Sequence, residues 1–126
     1  MDAMRVRRIS ANERVNGPPT SGMDRFTAVA SDRLWAGGAR TEPGMVSAWH
    51  HHGDHESAIY VVSGALRMEF GRGGAEKFDA GPGDFVYVPR GAIHREANPA
   101  DEPADIVVVR AGTGESVFNV DGPEPA

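Results

Sequence analysis

Four of the five histidines in this chain fall within six consecutive residues: His50, His51, His52 and His55. The fifth, His94, stands alone much later in the sequence. Successive side chains of a β-strand point to opposite faces, so His50 and His52 share one face and His51 lies on the other. Imidazole nitrogens are good ligands for first-row transition metals. The spacing therefore predicts a metal site to which one strand contributes two imidazoles.

Two glutamates could complete such a site. Glu56 follows the turn pair Gly53-Asp54, and its carboxylate would arrive beside the two imidazoles just after the hairpin. Glu96 is spaced i, i+2 from His94, so these two side chains share a strand face. We interpret Glu96 as a group that orients an imidazole, transfers protons or pairs with an arginine of the cavity wall.

Composition excludes several other kinds of site. The chain has 126 residues and no cysteine, which rules out disulfide scaffolds, zinc ribbons, thiol catalysis and iron–sulfur clusters. Its net charge is −5, and its 13 basic residues are scattered, which argues against a nucleic-acid partner. No apolar stretch approaches the roughly 18 residues of a membrane span. We therefore expect a cytoplasmic protein whose partner is a small molecule.

Short runs between turn residues predict the elements that must position these groups. The 16 glycines and nine prolines occur singly or in short groups along the chain rather than in one tract. Between them lie β-branched, aromatic or alternating runs at 58–62, 66–70, 85–88 and 106–109. No long window free of Gly and Pro has helical periodicity. This pattern is typical of an all-β sandwich or barrel.

The chain divides into three predicted segments. Residues 23–120 form a single barrel domain, which residues 1–22 precede as an arm and residues 121–126 follow as a frayed tail. The apolar run 106–109 is typical of a strand buried on both faces. In so small a barrel, one of these faces would pack on another subunit, and the arm could pack or exchange there. We therefore expect a homodimer.

Two motifs in this sequence resemble those of the cupin superfamily. The first motif, G-x5-H-x-H-x3-4-E-x6-G, is matched at Gly44, His50, His52 and Glu56, with Gly64 one residue late. The second motif, G-x5-P-x-G-x2-H-x3-N, is matched at every fixed position, by Gly83, Pro89, Gly91, His94 and Asn98. The resemblance covers residues 44–98.

The resemblance implies a double-stranded β-helix, a jelly-roll barrel, with one divalent transition metal inside it. The implied ligands are His50, His52, Glu56 and His94, and the metal is Fe, Mn, Zn, Ni, Co or Cu. The late Gly64 leaves the carboxylate open, because strict alternation back from it puts Ser57 on the ligand face. A one-residue bulge near Ser57 would restore Glu56. Otherwise the site has three histidines, or His55 substitutes.

Three functional hypotheses follow from such a site. The first is a metal-dependent enzyme, either a dioxygenase or an isomerase/lyase, that acts on a small oxygenated metabolite with Glu96 as the proton-transfer group. The second is a non-catalytic module that uses the same metal and cavity to capture a small ligand for sensing or storage. The third is a purely structural barrel that holds an ion only by accident.

Overall fold

Eleven short strands and one 3₁₀ turn make up the regular structure of the part of the chain described by the computed structural model, residues 4–18 and 20–126. The 3₁₀ turn spans Ala11–Glu13. The strands are β1 (Val15–Asn16), β2 (Met23–Ala30), β3 (Leu34–Thr41), β4 (His50–His51), β5 (Glu56–Ser63), β6 (Leu66–Phe70), β7 (Glu76–Ala80), β8 (Phe85–Val88), β9 (His94–Ala97), β10 (Ala104–Ala111) and β11 (Phe118–Asn119). Within the described residues no helix is long and apolar enough to cross a membrane.

The strands form two antiparallel sheets, which confirms the predicted all-β fold. One sheet has six strands in the order β1-β2-β3-β10-β5-β8, and the other has five in the order β11-β4-β9-β6-β7. β4 and β5 lie in different sheets although a short turn joins them. This turn brings the histidine strand next to the inner face of the larger sheet.

The core lies between the two sheets because the strands alternate in burial. In β5 the side chains of Ser57, Ile59 and Val61 are buried, whereas those between them face outwards. In β6, Leu66 and Met68 are buried in the same way. The apolar core contains Met23, Ala39, Met45, Ile59, Val61, Leu66, Met68, Ala80, Val86, Val88 and Ile106. The inner faces of both sheets therefore supply the packing that fixes the histidine strands.

The two ends of the chain contact the barrel at their inner portions. Of the predicted arm, residues 1–3 and 19 lie outside the described residues, and Val15–Asn16 pairs with β2 of the same chain. Met4 and Val6 are almost fully exposed. In the predicted tail, the Glu124 carbonyl accepts a hydrogen bond from the Gly73 amide at 2.6 Å.

Candidate metal centre

Three histidine rings converge between β4 and β9. His50 and His94 are direct partners across these strands, with ring centroids 4.4 Å apart. The His52 ring lies 5.0 Å from that of His50 and 5.2 Å from that of His94. All three side chains are buried. The structure thus brings together the three histidines that the motifs single out.

A backbone carbonyl fixes the orientation of each ring. Nδ1 of His50 donates to the Ala48 carbonyl at 2.8 Å, and Nδ1 of His94 donates to the Ala92 carbonyl at 2.9 Å. Nδ1 of His52 donates to the carbonyl of Ser116 at 2.7 Å. A neutral imidazole has only one N–H, so in its neutral form each ring has its lone pair on Nε2. Hydrogen bonds of this kind orient histidines that bind metals through Nε2, and the donor set therefore fits a metal ion.

Glu96 supplies the carboxylate of this cluster. Its Oε1 lies 3.5 Å from Nε2 of His50 and 3.3 Å from Nε2 of His94. One potential ligand atom from each of His50, His52, His94 and Glu96 lies within 4.8 Å of all the others. This arrangement is a cluster able to bind a metal ion.

The electrostatics of the cluster favour a cation at its centre. Burial opposes ionisation of Glu96, but its contacts with His50 and His94 outweigh burial and hold the carboxyl pKa well below its usual range. Burial also opposes protonation of His50, yet Glu96 raises the His50 pKa overall. Burial and the nearby Arg110 lower the pKa of His52 to about 4, so this ring is neutral at pH 7. A carboxylate facing imidazole lone pairs is stabilised by a cation between them, either a proton or a metal ion.

The structure does not bring Glu56 to the histidines. The Glu56 carboxylate lies on the outer face of the larger sheet, where it accepts a hydrogen bond from the Tyr87 hydroxyl at 2.9 Å. Nη2 of Arg90 lies 3.8 Å from Oε2 of Glu56. The pairing of β5 with β8 runs without interruption from Ser57 to Tyr60, so no bulge near Ser57 turns Glu56 inwards. The pairing of β5 with β10 instead shifts at the far end of β5, where Asp105 lies opposite Ser63 and the next residue lies opposite Val61.

Ser57 occupies the inward position that Glu56 would need. Four residues separate His52 from Ser57 and six separate Ser57 from Gly64, so Ser57 satisfies the spacing of the first motif without its glutamate. Its side chain is buried and its hydroxyl has no hydrogen-bond partner among the described residues. The carboxylate instead comes from β9, where Glu96 shares a face with His94. The sequence predicted that Glu96 shares a face with His94, but it did not predict Glu96 as a ligand.

The other two histidines of the 50–55 segment have separate environments. The His51 ring stacks on Phe118 at a centroid distance of 4.9 Å, and its Nδ1 accepts a hydrogen bond from the amide of Gly53. His55 is buried, and its Nε2 contacts the Gly114 carbonyl at 3.0 Å. Neither ring belongs to the cluster, and His55 therefore does not replace a carboxylate there.

The cluster opens onto a cavity of about 530 Å³ inside the barrel. His50 and Glu96 form part of its wall, and Ile59, Ile106 and Val108 provide apolar surface from the larger sheet. A volume of this order suits a small organic molecule. A ligand in this cavity would contact both the histidine cluster and the apolar wall.

Solved structures share this architecture at low sequence identity. An uncharacterized conserved protein with a double-stranded β-helix domain from Klebsiella pneumoniae is 21% identical, with a TM-score of 0.73 over 93% of this chain and 99% of that one. The polyketide cyclase RemF from Streptomyces resistomycificus is 21% identical, with a TM-score of 0.72 over 92% of this chain and 86% of that one. Bacillus subtilis oxalate decarboxylase, described with Mn(II) centres, is 24% identical, with a TM-score of 0.70 over 81% of this chain but 29% of its own.

The sequence comparisons agree with the fold. No curated protein shows significant sequence similarity to this chain. The family model described as "Cupin domain" matches residues 39–110, which is more than half of the chain and includes both motifs. The predicted double-stranded β-helix is confirmed by the structural neighbours, and the chain belongs to the cupin family.

Proposed function

We propose that this cupin is a mononuclear metal-dependent enzyme that acts on a small oxygenated molecule. The proposed ligands of one divalent transition metal are His50, His52, His94 and Glu96. One observation carries the proposal: four ligand atoms lie within 4.8 Å of one another. Their opening onto a cavity supports a role in chemistry on a bound molecule.

The roles of the protein groups follow from their surroundings. When bound, a transition metal supplies a Lewis acid for substrate oxygens and, if it is redox-active, a path for electrons. Backbone carbonyls hold the imidazoles of His50, His52 and His94 in one tautomer. Ile59, Ile106 and Val108 form an apolar wall that excludes water around a bound molecule. Glu96 is the one carboxylate among the described residues of the cavity wall, and its negative charge would offset part of the charge of the metal cation.

Measurement of oxygen uptake distinguishes a dioxygenase from an isomerase or lyase. The protein would be purified, its metal identified by elemental analysis, and oxygen uptake measured with catechols, β-diketones and α-hydroxy ketones. We expect substrate-dependent turnover in the metal-loaded protein and its loss after chelation. Uptake of oxygen would assign a dioxygenase, whereas product formation without uptake, followed by NMR, would assign an isomerase or lyase. Tight ligand binding with no turnover in either assay would replace the enzyme with a non-catalytic binding module.

We also propose that the protein is a homodimer that pairs through the outer face of the larger sheet. Phe85 and Tyr87 are 74% and 65% exposed on the edge strand β8. Tyr60 of β5 lies opposite Phe85, and Val107 of β10 lies opposite Tyr60 on the other side. These side chains with Val109 form a contiguous apolar patch across three strands. Such a patch on a small protein favours a partner subunit, and burying it would complete the predicted two-sided burial of residues 106–109.

Replacing the centre of this patch with a charge should separate the subunits. We expect the unmodified protein to elute at twice the mass of one chain, and Val107→Glu to elute as a monomer, because a buried unpaired carboxylate is costly. Size-exclusion chromatography with light scattering measures both masses. Lys77→Glu, on an exposed position of the other sheet, should leave the mass unchanged. A monomeric unmodified protein would contradict the proposal.

A further inference from the structure

A layer of three side chains crosses the inner face of the larger sheet. Arg110 on β10 lies opposite Trp35 of β3 on one side and opposite Ser57 of β5 on the other. All three residues line the cavity that holds His50 and Glu96. The Arg110 guanidinium lies 5.0 Å from the centroid of the Trp35 ring. The register of three strands therefore places a cation, a hydroxyl and an aromatic ring side by side on the cavity wall.

Two polar atoms of this layer lack a hydrogen-bond partner among the described residues. Nε of Arg110 and Oγ of Ser57 are buried, and neither forms a hydrogen bond with any described residue. Among the described residues, Arg110 forms no salt bridge with an N···O distance of 4.0 Å or less. Arg110 is half-buried, and leaving its buried Nε–H and the neighbouring Ser57 hydroxyl without hydrogen bonds costs stability. A fold that keeps both on a cavity wall is suited to a ligand that satisfies both.

The charge of the cavity points to an anion. Its charged wall residues, apart from the histidines, are Arg25 at the exposed rim, Arg110 and Glu96. Glu96 is already engaged by His50 and His94, so it does not neutralise the arginines by direct contact. The rest of the wall near Arg110 is largely apolar. A ligand that matches this wall has one anionic end and an apolar body.

We propose that Arg110 and Ser57 form a subsite for the carboxylate of a small organic acid. The planar guanidinium matches a carboxylate in geometry and charge, and the Ser57 hydroxyl can donate a further hydrogen bond to it. The apolar body of the acid packs against Ile59 and Ile106, which lie on the same face of β5 and β10. This inference rests on the proposed function, since it makes the substrate of the metal site a carboxylate.

Benzoate binding to the chelated, metal-free protein tests the subsite without relying on activity. Isothermal titration calorimetry would compare benzoate with benzamide, its neutral analogue. We expect binding of benzoate only, weakened about thirtyfold in Arg110→Met and about fivefold in Ser57→Ala. Arg110→Lys should recover part of the loss, because it restores the charge without the planar fork. Arg40→Met, which removes an exposed arginine from the outer face of the same sheet, should bind benzoate normally.

Other outcomes would overturn the subsite. Equal binding of benzamide, tighter binding of inorganic phosphate, or benzoate affinity unchanged in Arg110→Met would each exclude a carboxylate held by Arg110. A thermal melt shows whether Arg110→Met is folded, and Arg110→Lys and Ser57→Ala decide the test if it is not. Metal content is measured separately. A protein that binds benzoate but no metal would refute the proposed function alone, and one that binds metal but no benzoate would refute the subsite alone.

Discussion

His52→Ala is expected to lower metal affinity by a factor on the order of a hundred or more, because it removes one of four converging donors. His94→Ala and Glu96→Gln should have effects of similar size. An amide in place of the Glu96 carboxylate keeps the shape of the side chain but removes the negative charge that offsets the metal cation. Metal content after dialysis and a competition titration against a chelator of known affinity measure the loss.

Two matched variants distinguish the ligands from their neighbours. Glu56→Gln should retain full metal content, because its carboxylate contacts Tyr87 on the outer face of the sheet. His51→Ala should also retain metal, because this ring stacks on Phe118 away from the cluster. Loss of metal in Glu56→Gln together with retention in Glu96→Gln would show that the carboxylate comes from β5. Full metal content in His52→Ala or His94→Ala would refute the histidine site itself.

Asn98→Ala is expected to lower the free energy of unfolding by about 3 kcal/mol. The Asn98 side chain is almost fully buried, and its Nδ2 donates to the carbonyls of Thr41 and Glu102 at 3.3 and 2.9 Å. Its Oδ1 accepts a hydrogen bond from the Ala100 amide at 3.0 Å. Alanine would leave these backbone groups without their partner and a small void beside them. The final residue of the second motif therefore acts through the fold and not through the metal.

Urea denaturation followed by circular dichroism measures this loss. Asn16→Ala, which truncates an exposed asparagine on β1, should change the unfolding free energy by less than about 0.5 kcal/mol. If Asn98→Ala unfolds at the same urea concentration as the unmodified protein, the hydrogen bonds of Asn98 to Thr41, Ala100 and Glu102 do not stabilise the fold. Metal content of the folded variant should stay normal, because Asn98 is not part of the cluster.

The sequence alone determined the fold class and the three histidines. Alternation along short runs requires strands, because only a period of two places the apolar residues of 66–70 on one face. The same period makes His50 and His52 neighbours on one side of a strand. The motif spacing then predicted that His94 would join them. In the structure, His94 lies directly opposite His50 in the pairing of β4 with β9.

Tertiary structure decided which carboxylate faces the histidines. Glu56 and Ser57 are adjacent, and a shift of one residue in the register of β5 exchanges its inward-facing and outward-facing side chains. Spacing along the chain therefore left both open, and the uninterrupted pairing of β5 with β8 turned Ser57 inwards. Glu96 entered the cluster because the pairing of β9 with β4 and β6 turns its face towards the cavity.

The cavity wall also depended on tertiary structure. Arg110, Ser57 and Trp35 are distant in sequence, and only the register of β3, β10 and β5 makes them neighbours. No local pattern indicates that a strand arginine lacks a carboxylate partner, because its pairing depends on every element packed around it. Sequence periodicity assigns a side chain to a face of its strand, whereas the register between strands decides which other side chains it meets there.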